Sequence, residues 1–190
     1  MELIEAIKSR RSIRRFLDKP VAGEIVRKLI DTAVWAPSAS NEQPWGFVVI
    51  EDRDYMRKLS EKAKAGLLSV MEQTPALQRY RALMENPDFN IFHNASVLVV
   101  IYGRRNRGWS KHDCSLAAQN LMLLAWERGL GTCWIGFAHK VCDTAEFKER
   151  HHVPEDFETA APIVVGYPEF VPQNPVPRKE FPIFFWGEGS

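Results

Sequence analysis

The segment SLAAQNLMLLAWERG, residues 115–129, constrains this chain more than any other. Asp113 offers a cap just before it and Gly129 supplies a residue suited to its C-terminal end, so the stretch reads as one helix. The helix is apolar nearly all round and must therefore be buried on more than one side. A chain of 190 residues can bury one helix completely. The face of a second copy would do so equally well.

Three short apolar runs accompany it. WGFVVIE (45–51), ASVLVVIY (95–102) and APIVVGYP (161–168) read as buried strands, all far shorter than the roughly 20 residues of a membrane helix. Helices are expected at 2–9, where Leu3, Ile4 and Ile7 share a stripe, and at 21–35, with Ile25, Leu29 and Ala33 on one face. Two more are expected, from an Asp52 cap to about residue 66 and near 143–151. Between 67 and 92 helical pieces are broken at Pro75 and Pro87. Five of the twelve prolines follow residue 167, so the tail cannot be regular helix and must lie along something else. No repeat or linker divides the chain, and the expectation is a single α+β domain over 1–190.

Charge and cysteine usage exclude several roles. Lys plus Arg is 25 and Asp plus Glu is 24, so no global field draws the chain to nucleic acid or an anionic membrane. Cys114, Cys133 and Cys142 form no CxxC pair, and the N-terminus lacks the apolar run of a signal peptide. A soluble protein of the reducing cytoplasm is expected. There is no HExxH, no metal-ligand spacing, no GxSxG and no P-loop. Without an acid, base or nucleophile of its own, an enzyme built this way leaves its chemistry to a cofactor.

Four segments offer binding chemistry, each with a plainer reading beside it. RRSIRRF (10–16) gathers Arg10, Arg11, Arg14 and Arg15 around Ser12, which suits a phosphate or forms a solvated basic turn. PSASNEQPW (37–45) stiffens a loop of Ser38, Ser40, Asn41 and Gln43 between prolines, with the paired donors and acceptors of an amide-edged heterocycle, or it caps a helix. GLGTCWIGF (129–137) fails the GxGxxG spacing because position 134 is Trp. Its glycines at 131 and 136 allow a flat ligand to approach the backbone, or the segment is a core strand with a tight turn. PVPRKEF (175–181) carries Arg178 and Lys179 in the tail, either on a ligand or simply solvated.

Taken together and in this order, RRSIRRF, APSASNEQPW, the buried helix with GLGTCWIGF, then VVGYP and PVPRKEF closely resemble the nitroreductase family over about residues 4–180. The resemblance implies a nitroreductase-like α+β fold with a central, mostly antiparallel mixed sheet flanked by helices. It implies a homodimer with FMN at the subunit interface, a variable, lid-like region at 67–92 and a C-terminal arm, 168–190, crossing to the partner. It places Arg10, Arg11 and Ser12 by the FMN phosphate and ribityl chain and Arg14 at the N1/C2 edge of the isoalloxazine. Pro37, Ser38 and Asn41 fall on the flavin loop, partly contributed from the other subunit. Ile135 and Gly136 fall near flavin N5, and Arg178 at the phosphate. The implied activity is FMN-dependent transfer of hydride from NADH or NADPH, through flavin N5, to a small electron-poor acceptor such as a nitroaromatic or quinone, by a ping-pong route. Reductive dehalogenation, flavin modification and a non-catalytic flavin-binding or redox-sensing module are the alternatives. Trp109, Phe89 and Phe92 are candidates for lining an acceptor pocket, with core or interface packing as the alternative for each.

Overall fold

The computed structural model describes residues 1–172 and 177–187. Its elements, in chain order, are α1 (Leu3–Ser9), α2 (Gly23–Ala33), β1 (Trp45–Ile50), α3 (Arg53–Leu68) and α4 (Arg81–Glu85). There follow β2 (Val97–Arg104), α5 (Ser110–Glu127), β3 (Gly131–Trp134), α6 (His139–Cys142), α7 (Ala145–Arg150) and β4 (Phe157–Gly166). The described residues form one four-stranded sheet in the order β1-β2-β4-β3, with every neighbouring pair antiparallel. An isolated parallel bridge between Ser12 and Thr132 adds a short fifth position beyond β3.

The sheet is central because its strands alternate between two apolar faces. Leu98, Val100, Tyr102 and Val164 face a core that includes Met56 and Leu59 of α3 and Phe147 of α7. Val97, Val99, Ile101, Ile163 and Val165 face the core made with Val26 and Leu29 of α2 and Leu121 of α5. Helices on both sides explain why β2 and β4 read as continuous apolar runs. Among the described residues no helix is long and apolar enough to cross a membrane.

Three expectations change. Helix α5 starts at Ser110, earlier than Asp113; Trp109 is its N-cap, and the Asp113 carboxylate instead accepts the Ala39 N–H at 3.2 Å. Nor is α5 buried all round within one chain, since Leu116 stays exposed and Leu123 half-buried. In α1 only Ala6 faces inward, and the Leu3, Ile4, Ile7 stripe lies outside. The 67–92 region is tied to the core through Met71, Met84, Ile91 and Phe92. Buried Lys64 donates to the carbonyls of Asn86 and Phe89. Of the arm, residues 173–176 and 188–190 lie outside the described residues.

Candidate functional site

The segment after α1 is extended. Arg10, the C-cap residue, has φ −52° and ψ 133°; the Ile13 N–H donates to the Thr132 carbonyl at 2.9 Å, and Phe16 bridges Pro168. Residues 10–17 thus run from the β3 edge across the end of β4. The approach to β3 is close enough to require glycine: a Cβ on Gly131 would stand 2.7 Å from Ile13 Cγ1. That glycine serves the packing of the segment and not the approach of a ligand.

In extended backbone, alternate side chains point to opposite sides. Arg10, Ser12 and Arg14 accordingly act together on the Cys133 thiol, each lowering its pKa against the larger upward push of burial. Arg11 turns the other way. Its guanidinium donates to the Lys8 and Arg10 carbonyls at 2.8 and 2.7 Å and so caps α1, while its buried Nε has no partner. Arg11 and Arg178 both line a cleft of about 800 Å³ between α1, Trp126 and the arm.

These cations lack anions. Among the described residues nine other arginines pair with a carboxylate. Among the described residues, Arg10, Arg11, Arg14 and Arg178 form no such pair. Burial, and then repulsion from Arg11 and Arg178, lowers the Arg10 pKa. Arg10 and Arg11 are partly buried while Arg14 and Arg178 are exposed, and like charges held this close become favourable together when an anion with several acceptor oxygens joins them.

Farther along β3, the Ile135 N–H donates to the Pro162 carbonyl at 2.8 Å and its side chain is buried. Gly136 opens a short 3₁₀ turn, Gly136–Ala138, and nothing lies within 4 Å of the place a Cβ would take. The strand beside Ser12 therefore leads to an uncovered stretch of backbone where a planar group has room.

The 37–43 loop is strained. Ser40, Asn41 and Gln43 have φ of 50°, 54° and 47°, a region that non-glycine residues seldom occupy and that clusters at functional sites. Local bonds hold it: Ser38 Oγ accepts the Gln43 N–H and Asn41 Oδ1 accepts Gln43 Nε2, both at 3.0 Å. The Ala39–Asp113 bond and an Arg107–Glu42 pair at 3.2 Å fasten it to the entry of α5.

Pro37, Ser38 and Asn41 nevertheless stand apart from the cation cluster. The loop leads into Trp45, opposite Gly103 at one end of β2. Ser12 pairs with Thr132, which is level with Val165 and Val97 at the other end. Four strand spacings of about 4.8 Å and six residues of about 3.3 Å rise put the two roughly 28 Å apart. The structure gathers Arg10, Ser12, Arg14 and Arg178 at one end of the sheet, with Ile135 and Gly136 on the adjoining strand, and holds the loop at the opposite corner.

One neighbour of the cluster had no legible signal in the sequence. His93 sits in left-handed backbone, φ 56°, just before β2, and burial with the nearby Arg14 charge pushes its pKa down to about 4. It is a lone histidine in a stretch of weak periodicity.

The model of the nitroreductase family matches residues 7–167. The chain belongs to the nitroreductase family. A relative from Methanothermobacter thermautotrophicus, named as an NADH dehydrogenase/NAD(P)H nitroreductase, is 31% identical over 186 residues, covering 95% of this chain and 83% of that protein. A nitroreductase from Desulfitobacterium hafniense, solved with bound FMN, shares the fold at a TM-score of 0.84 with 22% identity, over 97% and 99% of the two chains. An FMN-dependent nitroreductase from Clostridium difficile R20291 is 26% identical at a TM-score of 0.66, over 88% of each chain. The nitroreductase match takes in both Arg10–Arg14 and the strained loop; Arg178 lies beyond it, so its membership in the cluster rests on this structure.

Proposed function

We propose that the protein is an FMN-dependent oxidoreductase that takes hydride from NADH or NADPH and reduces a small electron-poor acceptor, a nitroaromatic or quinone. The observation that carries this reading is the group of four arginines that pair with no carboxylate among the described residues, beside a strand whose next uncovered backbone is Gly136. When bound, FMN supplies two-electron chemistry, receiving hydride in one half of a ping-pong cycle and returning it in the other.

The residues fit that cofactor. Arg10, Arg178 and Ser12 hold the dianionic phosphate through charge-assisted bonds. Arg11 contributes charge while its guanidinium stays on the end of α1. Arg14 would hold the N1/C2 edge, where its charge would favour the anionic reduced state. The Ile135–Gly136 backbone, with Ile135 fixed to β4 and Gly136 open, would offer the approach to N5. No side chain is needed as acid or base; the protein's contribution is placement and electrostatics.

The same reading makes the protein a homodimer with FMN between the subunits. The exposed Leu3, Ile4 and Ile7 stripe, the uncovered Leu116 and the cleft beside α1 form an apolar surface that a second copy covers. Pro37, Ser38 and Asn41 then complete the partner's site, and the arm carries its aromatic end, Phe181 to Trp186, over the other chain.

The test is direct. The purified protein should be yellow or turn yellow with added FMN, and NADH or NADPH should bleach it with return of colour on adding a nitroaromatic. Protein that stays colourless and leaves FMN fluorescence unchanged overturns the reading.

A further inference from the structure

The sequence offers three aromatic residues for an acceptor pocket, and the structure separates them. Phe92 is fully buried in the core and Phe89 is half-buried with its ring edge against His93 at 5.9 Å. Trp109 alone is open, 64% exposed, and among the described residues its one ring partner is His112 at 5.5 Å.

Its position gives that exposure a direction. Trp109 lies between two attachments of the strained loop: Arg107, two residues before it, reaches Glu42, and Asp113, one helical turn after it, accepts the Ala39 N–H. The helix entry and the loop are thus joined at two points, and Trp109 stands between them on the same corner of the sheet as Ser38 and Asn41. Under the proposed function, on which this inference rests, that unit faces the flavin site of the second chain. We infer that Trp109 is a specificity-determining residue, an aromatic wall supplied by one subunit on which a planar, electron-poor acceptor stacks at the other subunit's site.

The chemistry suits the ligand. An indole face is electron-rich, and a nitro-substituted or quinonoid ring is electron-poor, so offset stacking between them is favourable. His112 packs against the indole at a tilt of 56°. A compact inorganic oxidant gains nothing from such a wall.

The experiment compares Trp109→Leu, which keeps apolar bulk, with Trp109→Phe, which keeps a ring, as FMN-loaded dimers. Turnover is followed with 4-nitrobenzoate and with ferricyanide. In the Leu variant the ratio of kcat/KM for 4-nitrobenzoate to that for ferricyanide should fall about three- to tenfold, mostly through KM, and Phe should restore most of it. An unchanged ratio, or equal losses with both oxidants, overturns the inference. A wild-type protein that takes up no FMN instead overturns the proposed function beneath it.

Discussion

At the scale of single residues, the site depends on which side chains share a side of one extended segment. Arg10, Ser12 and Arg14 point together and Arg11 points away, so the three arginines do unequal work. Arg10→Ala or Arg178→Ala should each weaken FMN binding roughly 10- to 100-fold, the loss of one charge-assisted bond. Quenching of flavin fluorescence measures this, and the wild-type affinity should fall with added salt. Arg14→Met should instead lower the two-electron midpoint potential by about 30–60 mV, because each 30 mV corresponds to about 1.4 kcal/mol. A spectroelectrochemical titration reads it. The alternation was available in the sequence, since period two follows once the segment is known to be extended; that it is extended comes from its pairing with Thr132, which no local signal announces.

His93 supplies a pH dependence at the same scale. Its pKa is lowered to about 4, below the ordinary value near 6.5, so between those pH values the unfolded chain binds a proton that the folded chain does not. Stability should therefore fall as pH drops from about 6.5 toward 4. The groups around it reinforce the sign, since Arg14 is the charged neighbour and Phe89 packs on the ring. Thermal melts of wild type and His93→Gln across this range should differ in slope, the variant being flatter; parallel curves contradict the assignment. The buried thiols need no such caution, because burial pushes Cys114 and Cys142 up to about 12 and keeps them unreactive near neutral pH.

Elements meet at two tight places. Gly131→Ala places a methyl against Ile13, and overpacking of this kind costs about 1–3 kcal/mol. For a chain of this length that is about 2–12 °C in Tm, and calorimetry tests it. Asp113→Ala leaves the Ala39 N–H without its acceptor and loosens the loop from α5. Differential scanning should show a smaller loss, about 1–2 kcal/mol, with proteolysis concentrated at 38–43. The element pattern itself was largely legible. Strands at 45, 95 and 161 and the Asp52 cap follow from apolar runs and capping chemistry, and the structure has them as β1, β2, β4 and the start of α3. Asp113 was misread because its local environment permits capping, while the partner that claims its carboxylate lies 74 residues away. The short β3 was legible only as one of two readings, since four residues carry little periodicity.

At the scale of the whole molecule, the proposed function assigns one chain two half-sites that lie too far apart to meet within it. The cations and the strained loop occupy opposite corners of a four-stranded sheet, and the apolar faces of α1 and α5 are left uncovered beside them. This also resolves the all-round apolarity of SLAAQNLMLLAWERG: part of it belongs to the core and part to a surface. In the proposed homodimer, isologous pairing across a two-fold axis would bring each loop to the other chain's cations and generate two equal sites. Ile4→Lys with Ile7→Lys should yield a monomer of one 21.8 kDa chain by sedimentation, with FMN lost at the same time.

The most direct test of that arrangement is complementation in mixed dimers. One parent carries Arg10→Ala with Arg178→Ala, the other carries Ser38→Ala with Asn41→Ala, and each parent alone should hold little FMN. A mixed dimer, purified through two different tags, regains one site with intact cations from one chain and an intact loop from the other. The account predicts about one FMN per mixed dimer and NAD(P)H-dependent bleaching of that flavin. A mixed dimer as empty as its parents would mean that each site is built within a single chain, and would contradict it.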